Sequence, residues 1–157
     1  MRPIKDQTIL ITGATSGLGR ELGEALAKQG ATLLLHGRDV ERGLETVRQI
    51  KETTGNDRIE FFCADFSSLV EVDELARSVM SRVTRLDVLV NNAGVGFGKD
   101  ASKREISRDG YELRFAVNYL AYDPRVRLRL ATLTEKLLAP KGVGQGSHAP
   151  APIQENS

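Results

Sequence analysis

Apolar residues arrive in two rhythms along this chain: short unbroken runs, and longer stretches in which they recur every three or four positions. Residues 7–11 form the first run, which ends at a cluster of glycines. Leu18, Leu22, Ala25 and Leu26 follow at helical spacing on a segment that Gly30 closes, which predicts strand, turn and helix in that order. Residues 32–36 include three consecutive leucines with no polar alternation, the mark of a parallel strand covered on both faces. Asp39 stands where it would cap the next helix, whose inner face is expected to be Val40, Leu44, Val47 and Ile50, ending before Gly55.

Residues 59–63 predict a third strand, and Ser68 with Glu71 has the spacing of a capping box. The helix it opens carries the cleanest period in the chain, through Val72, Leu75, Ala76, Val79, Met80 and Val83. A fourth strand over 86–90 is apolar except for Asp87 and runs into Asn91, Asn92, Ala93 and Gly94. Four strands alternating with three helices imply an α/β fold with a parallel sheet and right-handed crossovers. After a loop over 95–108, residues 110–122 predict a fourth helix, apolar on most sides and so expected to be buried. Asp123 and Pro124 interrupt it, or else cap and open a new helix carrying Val126, Leu130, Leu133 and Leu137. The expected organisation is one α/β unit over 1–122, a helix over 123–140, and a disordered tail over 141–157, where apolar anchors are almost absent.

Composition narrows the class. At 157 residues and 40% apolar content the chain supports one domain with a core of its own. Its 22 basic and 21 acidic residues are scattered, giving a net charge of +1, which argues against a nucleic-acid surface. Arg125, Arg127 and Arg129 alternate with apolar residues and read as a solvated face. Cys63 is the single cysteine, expected to be a small buried residue at a strand end. There is no secretory signal and no membrane-spanning run, so the expectation is a cytoplasmic protein. His36 and His148 have no metal-ligand partner in sequence, and neither is a strong general base.

The chemistry is concentrated in Thr12, Gly13, Ala14, Thr15, Ser16, Gly17, Leu18 and Gly19, set between an apolar strand and an amphipathic helix. A phosphate at a helix start meets free backbone amides and the positive end of the helix dipole. Gly13 would allow the tight exit from the strand, Gly17 the approach of backbone to a pyrophosphate, and Gly19 close packing. An adenosine ribose should meet the end of the second strand, about 20 residues on. There the chain has His36, Gly37 and Arg38. A guanidinium in place of an acid favours NADP over NAD, because it pairs with a 2′-phosphate that a carboxylate would repel. Asp39 is the counter-argument if it turns inward, although helix capping explains it more simply. Asp65 sits where a carboxylate would accept from an adenine amino group, with capping as its plainer role. Asn91 to Gly94 occupy the strand end at which ligands of open parallel sheets bind.

The glycine run, Asp65, the Asn91, Asn92, Ala93, Gly94 stretch, and Val117 with Asn118 together resemble the short-chain dehydrogenase/reductase family over about residues 5–122. Asp109, Gly110, Tyr111, Glu112 and Leu113 resemble its retinol-dehydrogenase-like branch. The resemblance implies a Rossmann-like three-layer sandwich with strand order 3-2-1-4. It also implies that Gly13, Ser16, Leu18 and Gly19 line the diphosphate, Arg38 meets the 2′-phosphate and Asp65 the adenine. Asn91, Ala93 and Gly94 would meet the riboses, and Asn118 would hold a water in the catalytic proton relay.

The family's reaction is hydride transfer between a nicotinamide and a carbonyl or alcohol, with a tyrosine acid/base, a lysine four residues later and a serine. Tyr111, Tyr119 and Tyr122 are followed four positions on by Phe115, Asp123 and Val126. Loss of a positioned acid forfeits roughly 10²- to 10⁴-fold in rate. The expectation is therefore a truncated family member that binds NADP(H) with little turnover of its own. The alternatives are a non-catalytic partner of a full-length relative, pairing through the exposed sheet edge or the fourth helix, and a non-functional product.

Overall fold

In a computed structural model the described residues are 2–96 and 104–122. The expected helix over 123–140 and tail over 141–157 lie outside them. A short 3-10 turn, Ile4–Asp6, leads into β1, Thr8–Ile11. Then come α1, Gly17–Lys28; β2, Thr32–Gly37; α2, Val40–Thr54; β3, Ile59–Cys63; α3, Leu69–Arg82; and β4, Val88–Val90. A single α-turn, α4, Leu113–Phe115, widens into a π-turn over Ala116–Leu120. The strands form one parallel sheet in the order β3-β2-β1-β4.

Strand alternation distributes the core to both faces. Ile9 and Ile11 of β1 and Leu33 and Leu35 of β2 pack with Ala27 of α1 and Ile50 of α2. Leu10 and Leu34 point the other way, onto Val72, Leu75, Ala76 and Val79 of α3 and Val117 of the π-turn. Helices on both faces of one parallel sheet make three layers, and β2, in the middle, is buried from Leu33 to its end. None of the described helices is long and apolar enough to cross a membrane.

Local chemistry explains the element ends, with four departures from expectation. Asp39 does cap α2, its Oδ1 accepting from the Arg42 amide at 2.9 Å, and Gly55 ends that helix at φ +69°. The inner face of α2 is rotated, however: Val40 and Leu44 are more than half exposed, while Gly43, Thr46 and Ile50 are buried. A Cβ on Gly43 would lie 2.1 Å from the Phe61 ring, so the helix meets β3 through its one residue without a side chain. Cys63 ends β3 as expected but is exposed.

The capping box is half formed. Ser68 Oγ accepts from the Glu71 amide at 3.4 Å, whereas the Glu71 carboxylate turns to the Asp65 amide, at 2.7 Å. The fourth helix is not buried all round, because the wide π-turn inserts Ala116, Val117, Leu120 and Ala121 and swings Phe115 and Tyr119 outward. Those two rings stack on each other with centroids 5.3 Å apart.

Candidate functional site

The exits of all four strands open on a groove of about 450 Å³. One wall is the turn after β1, with Gly13, Thr15, Ser16, Leu18 and Gly19. The exit of β2 adds His36, Gly37, Arg38, Asp39 and Arg42; that of β3 adds Ala64, Asp65 and Phe66. Asn92, Ala93, Gly94 and Val95 close it beyond β4, with Val117 behind them. Gly17 and Asn91 are exposed and, with Asn118, are not among the residues lining the groove.

The turn can exist only without side chains at two points. Gly13 has φ +64°, and a Cβ there would lie 2.7 Å from Ala93 Cα. A Cβ on Gly19 would lie 2.4 Å from the Asn92 amide nitrogen and 2.5 Å from the Gly13 carbonyl. Gly17, at φ +51°, has nothing within 4 Å of such an atom. No Ser16 side-chain bond caps the start of α1, which leaves a positive helix terminus beside this opening, and that fits a diphosphate.

Three side chains hold the turn against the rest of the sheet. Asn92 Nδ2 donates to the Thr12 and Gly13 carbonyls at 2.9 and 3.0 Å. Thr12 Oγ1 accepts from the Asn92 and Ala93 amides, both at 3.0 Å. Tyr122 Oη, 3.2 Å from Thr12 Oγ1, donates to the Ala93 carbonyl at 2.7 Å. Burial pushes the Tyr122 phenol up, despite its bond with Thr12. Neither Asn92 nor Tyr122 announces this role in the sequence, since each depends on where β1, β4 and the π-turn meet in space.

His36 is 3% exposed and lies flat on Phe66 with ring centroids 4.3 Å apart. Its Nδ1 accepts from the Gly13 amide at 3.3 Å, which leaves Nε2–H to donate to the Ala64 carbonyl at 3.0 Å. Burial pulls its pKa down from 6.5 to about 4, outweighing the Ala64 carbonyl and the nearby Asp65, which both raise it. The neutral ring is a spacer between the exits of β1 and β3.

Asn118 sits in the π-turn, with both polar ends engaged by the backbone of one residue, Val95. Its Oδ1 accepts from the Val95 amide at 2.8 Å and its Nδ2 donates to the Val95 carbonyl at 3.0 Å. These bonds clamp the segment after Gly94. Asp65 Oδ1 accepts from the Ser67 amide at 2.9 Å. At the β2 exit, Arg38 and Arg42 form no ion pair with a described carboxylate, and Asp39 is committed to its helix cap.

A family profile described as short chain dehydrogenase matches residues 7–136. The chain belongs to the short-chain dehydrogenase family. A protein of Streptomyces sp. (strain C5) named for daunorubicin C-13 ketoreduction is 44% identical over 115 residues, covering 73% of this chain and 38% of that protein. Mouse retinol dehydrogenase 13 is 35% identical over 119 residues, 76% of this chain and 34% of the relative. The chain thus spans little more than a third of the length of these curated relatives. A metagenomic short-chain oxidoreductase solved in complex with NADP superposes with TM-score 0.65 at 33% identity, covering 82% of this chain and 56% of the other. Within this short-chain dehydrogenase chain, the glycine turn and the Asn92 segment are bonded to each other and together line one groove at the strand ends.

Proposed function

We propose that these residues form the NADP(H)-binding part of an oxidoreductase that exchanges hydride between the cofactor and a carbonyl or alcohol. The observation that carries the reading is the pairing of an open, glycine-built turn at the α1 start with two guanidiniums at the β2 exit. Gly13, Ser16, Gly17, Leu18 and Gly19 would hold the diphosphate, Arg38 the 2′-phosphate and Asp65 the adenine. Asn91, Ala93 and Gly94 would meet the riboses. When bound, the nicotinamide gives or takes the hydride.

The choice of NADP over NAD rests on charge. One oxygen of Asp39 caps α2 through the Arg42 amide, and the negative charge of Asp39 is outnumbered at the β2 exit by Arg38 and Arg42. Arg38 keeps its guanidinium for a phosphate, a contact worth about 1.5–3 kcal/mol, or roughly 10- to 100-fold in affinity. Solved relatives in complex with NADP or NADPH support the same choice.

No tyrosine in the 157 residues has a lysine four positions later, so these residues bind the cofactor without appreciable turnover by themselves. Asn118 contributes by clamping Val95 at the nicotinamide end. A second reading, a non-catalytic partner of a longer relative, is favoured by β4, which among the described residues pairs only with β1 and whose Val88 is 36% exposed.

Titration with NADPH and NADH, followed by nucleotide fluorescence, tests the assignment. NADPH should bind at least tenfold tighter; equal or tighter binding of NADH refutes it. Carbonyl reduction by the 157 residues alone would refute the absence of turnover.

A further inference from the structure

A charge cluster borders the groove at the β3 exit, apart from the glycine turn. Asp65 Oδ2 is 3.4 Å from Arg108 Nη2, while its Oδ1 is held by the Ser67 amide. The amide of Asp65 donates to Glu71 Oε2 at 2.7 Å, and the other Glu71 oxygen pairs with Arg108 Nη1. Asp65, Glu71 and Arg108 thereby close a ring of contacts. Backbone contacts reinforce it: the Arg108 amide donates to the Ser67 carbonyl at 2.9 Å, and Asp109 Oδ2 accepts from the Leu69 amide at 2.6 Å.

Stability does not account for such a ring. The Arg108 side chain is 62% exposed and that of Glu71 31%, and ion pairs this open contribute little. What the ring fixes is the plane of the Asp65 carboxylate, one oxygen from each side. A carboxylate oxygen accepts two hydrogen bonds, and among the described residues each Asp65 oxygen has one partner. Asp65 lines the groove, so the remaining acceptor capacity is available to a ligand. A purine carrying an amino group can donate to it. A purine carrying a carbonyl at the same position presents a second acceptor and is repelled.

We infer that Arg108 and Glu71 are positioning residues that orient Asp65, and that this three-residue strap makes the site select adenine over a 6-oxo purine. The inference rests on the reading of the groove as a dinucleotide site. Arg108 acts on the base through Asp65 and does not touch the reacting end of the cofactor.

The test compares NADPH with its hypoxanthine analogue on the whole chain, as wild type and as Arg108→Gln, Glu71→Gln and Asp65→Asn. The wild type should prefer NADPH by about tenfold, the size of one net hydrogen bond. Arg108→Gln and Glu71→Gln should each bring the ratio of the two dissociation constants towards one, and Asp65→Asn should abolish the preference. A merely structural strap would weaken both nucleotides alike and leave the ratio at its wild-type value, which would overturn the inference. If Arg108→Gln fails to fold, Glu71→Gln decides, because glutamine still accepts from the Asp65 amide. A wild type that binds NADPH with no preference overturns the inference alone; a wild type that binds neither nucleotide overturns the dinucleotide reading beneath it.

Discussion

Replacing Asn92 by alanine should damage the turn and the cofactor groove together. The amide donates to two carbonyls, Thr12 at 2.9 Å and Gly13 at 3.0 Å. Thr12 is fully buried, so water cannot replace the lost donor there, and the full penalty of about 1–3 kcal/mol applies. Gly13 is half-buried and at the groove, so its carbonyl recovers part of the loss from water, leaving about 0.5–1 kcal/mol. The expected destabilisation is therefore about 1.5–4 kcal/mol, read by urea denaturation followed by far-ultraviolet circular dichroism. Asn92→Asp should be worse than Asn92→Ala, because a carboxylate would face the same two carbonyl oxygens without a proton to give. Adding Gly19→Ala to Asn92→Ala should not rescue either, since the new Cβ still meets the Gly13 carbonyl at 2.5 Å. A loss below about 0.5 kcal/mol for Asn92→Ala would refute the claim that Asn92 satisfies a carbonyl closed to water.

The two glycines of the turn should separate stability from binding. Gly17→Ala meets no atoms and costs only the left-handed strain of about 1–2 kcal/mol, yet it should cut NADPH affinity in a fluorescence titration. Gly13→Ala adds overlap with Ala93, worth about 1–3 kcal/mol more, so a thermal melt should show it as clearly the less stable of the two. His36 makes stability depend on pH. Its pKa falls from 6.5 to about 4 on folding, so between those values the unfolded chain holds more protons. The contribution is present above pH 6.5 and is lost as pH falls towards 4, by about 3 kcal/mol. Urea midpoints measured across that window should flatten in His36→Asn, and equal slopes for the two proteins would count against a buried neutral ring. Tyr122→Phe removes the bond to the Ala93 carbonyl and should cost about 1 kcal/mol in the same denaturation assay.

Element order and the location of the groove were legible in the residue pattern, and the strand order was what the family resemblance implied. Unbroken runs such as Leu33, Leu34 and Leu35 can be satisfied only by burial on both faces, and glycines between a run and a helical stripe mark a phosphate-sized opening. Asp39 was legible for the same reason, because capping is a contact within four residues.

Faces that depend on a distant partner were not legible. The apolar period of α2 named Val40 and Leu44, yet the contact of Gly43 with Phe61 turned them outward. Glu71 has capping-box spacing, but Asp65 and Arg108 claim its carboxylate. The π-turn at Ala116–Leu120 decided which aromatics face water, and it carried Tyr122 to Thr12 across 110 positions of sequence.

By itself, then, the sequence determined the layered parallel sheet and the open turn, because these follow from local periodicity and from residues lacking a Cβ, while its family came from the resemblance of its motifs. Only the tertiary structure decided which donors hold that turn, that His36 is a buried neutral spacer, and that Arg108 reaches Asp65. Those bonds join segments whose separation in sequence carries no distance information, and they form only once the packing of both sheet faces has fixed where the strands end.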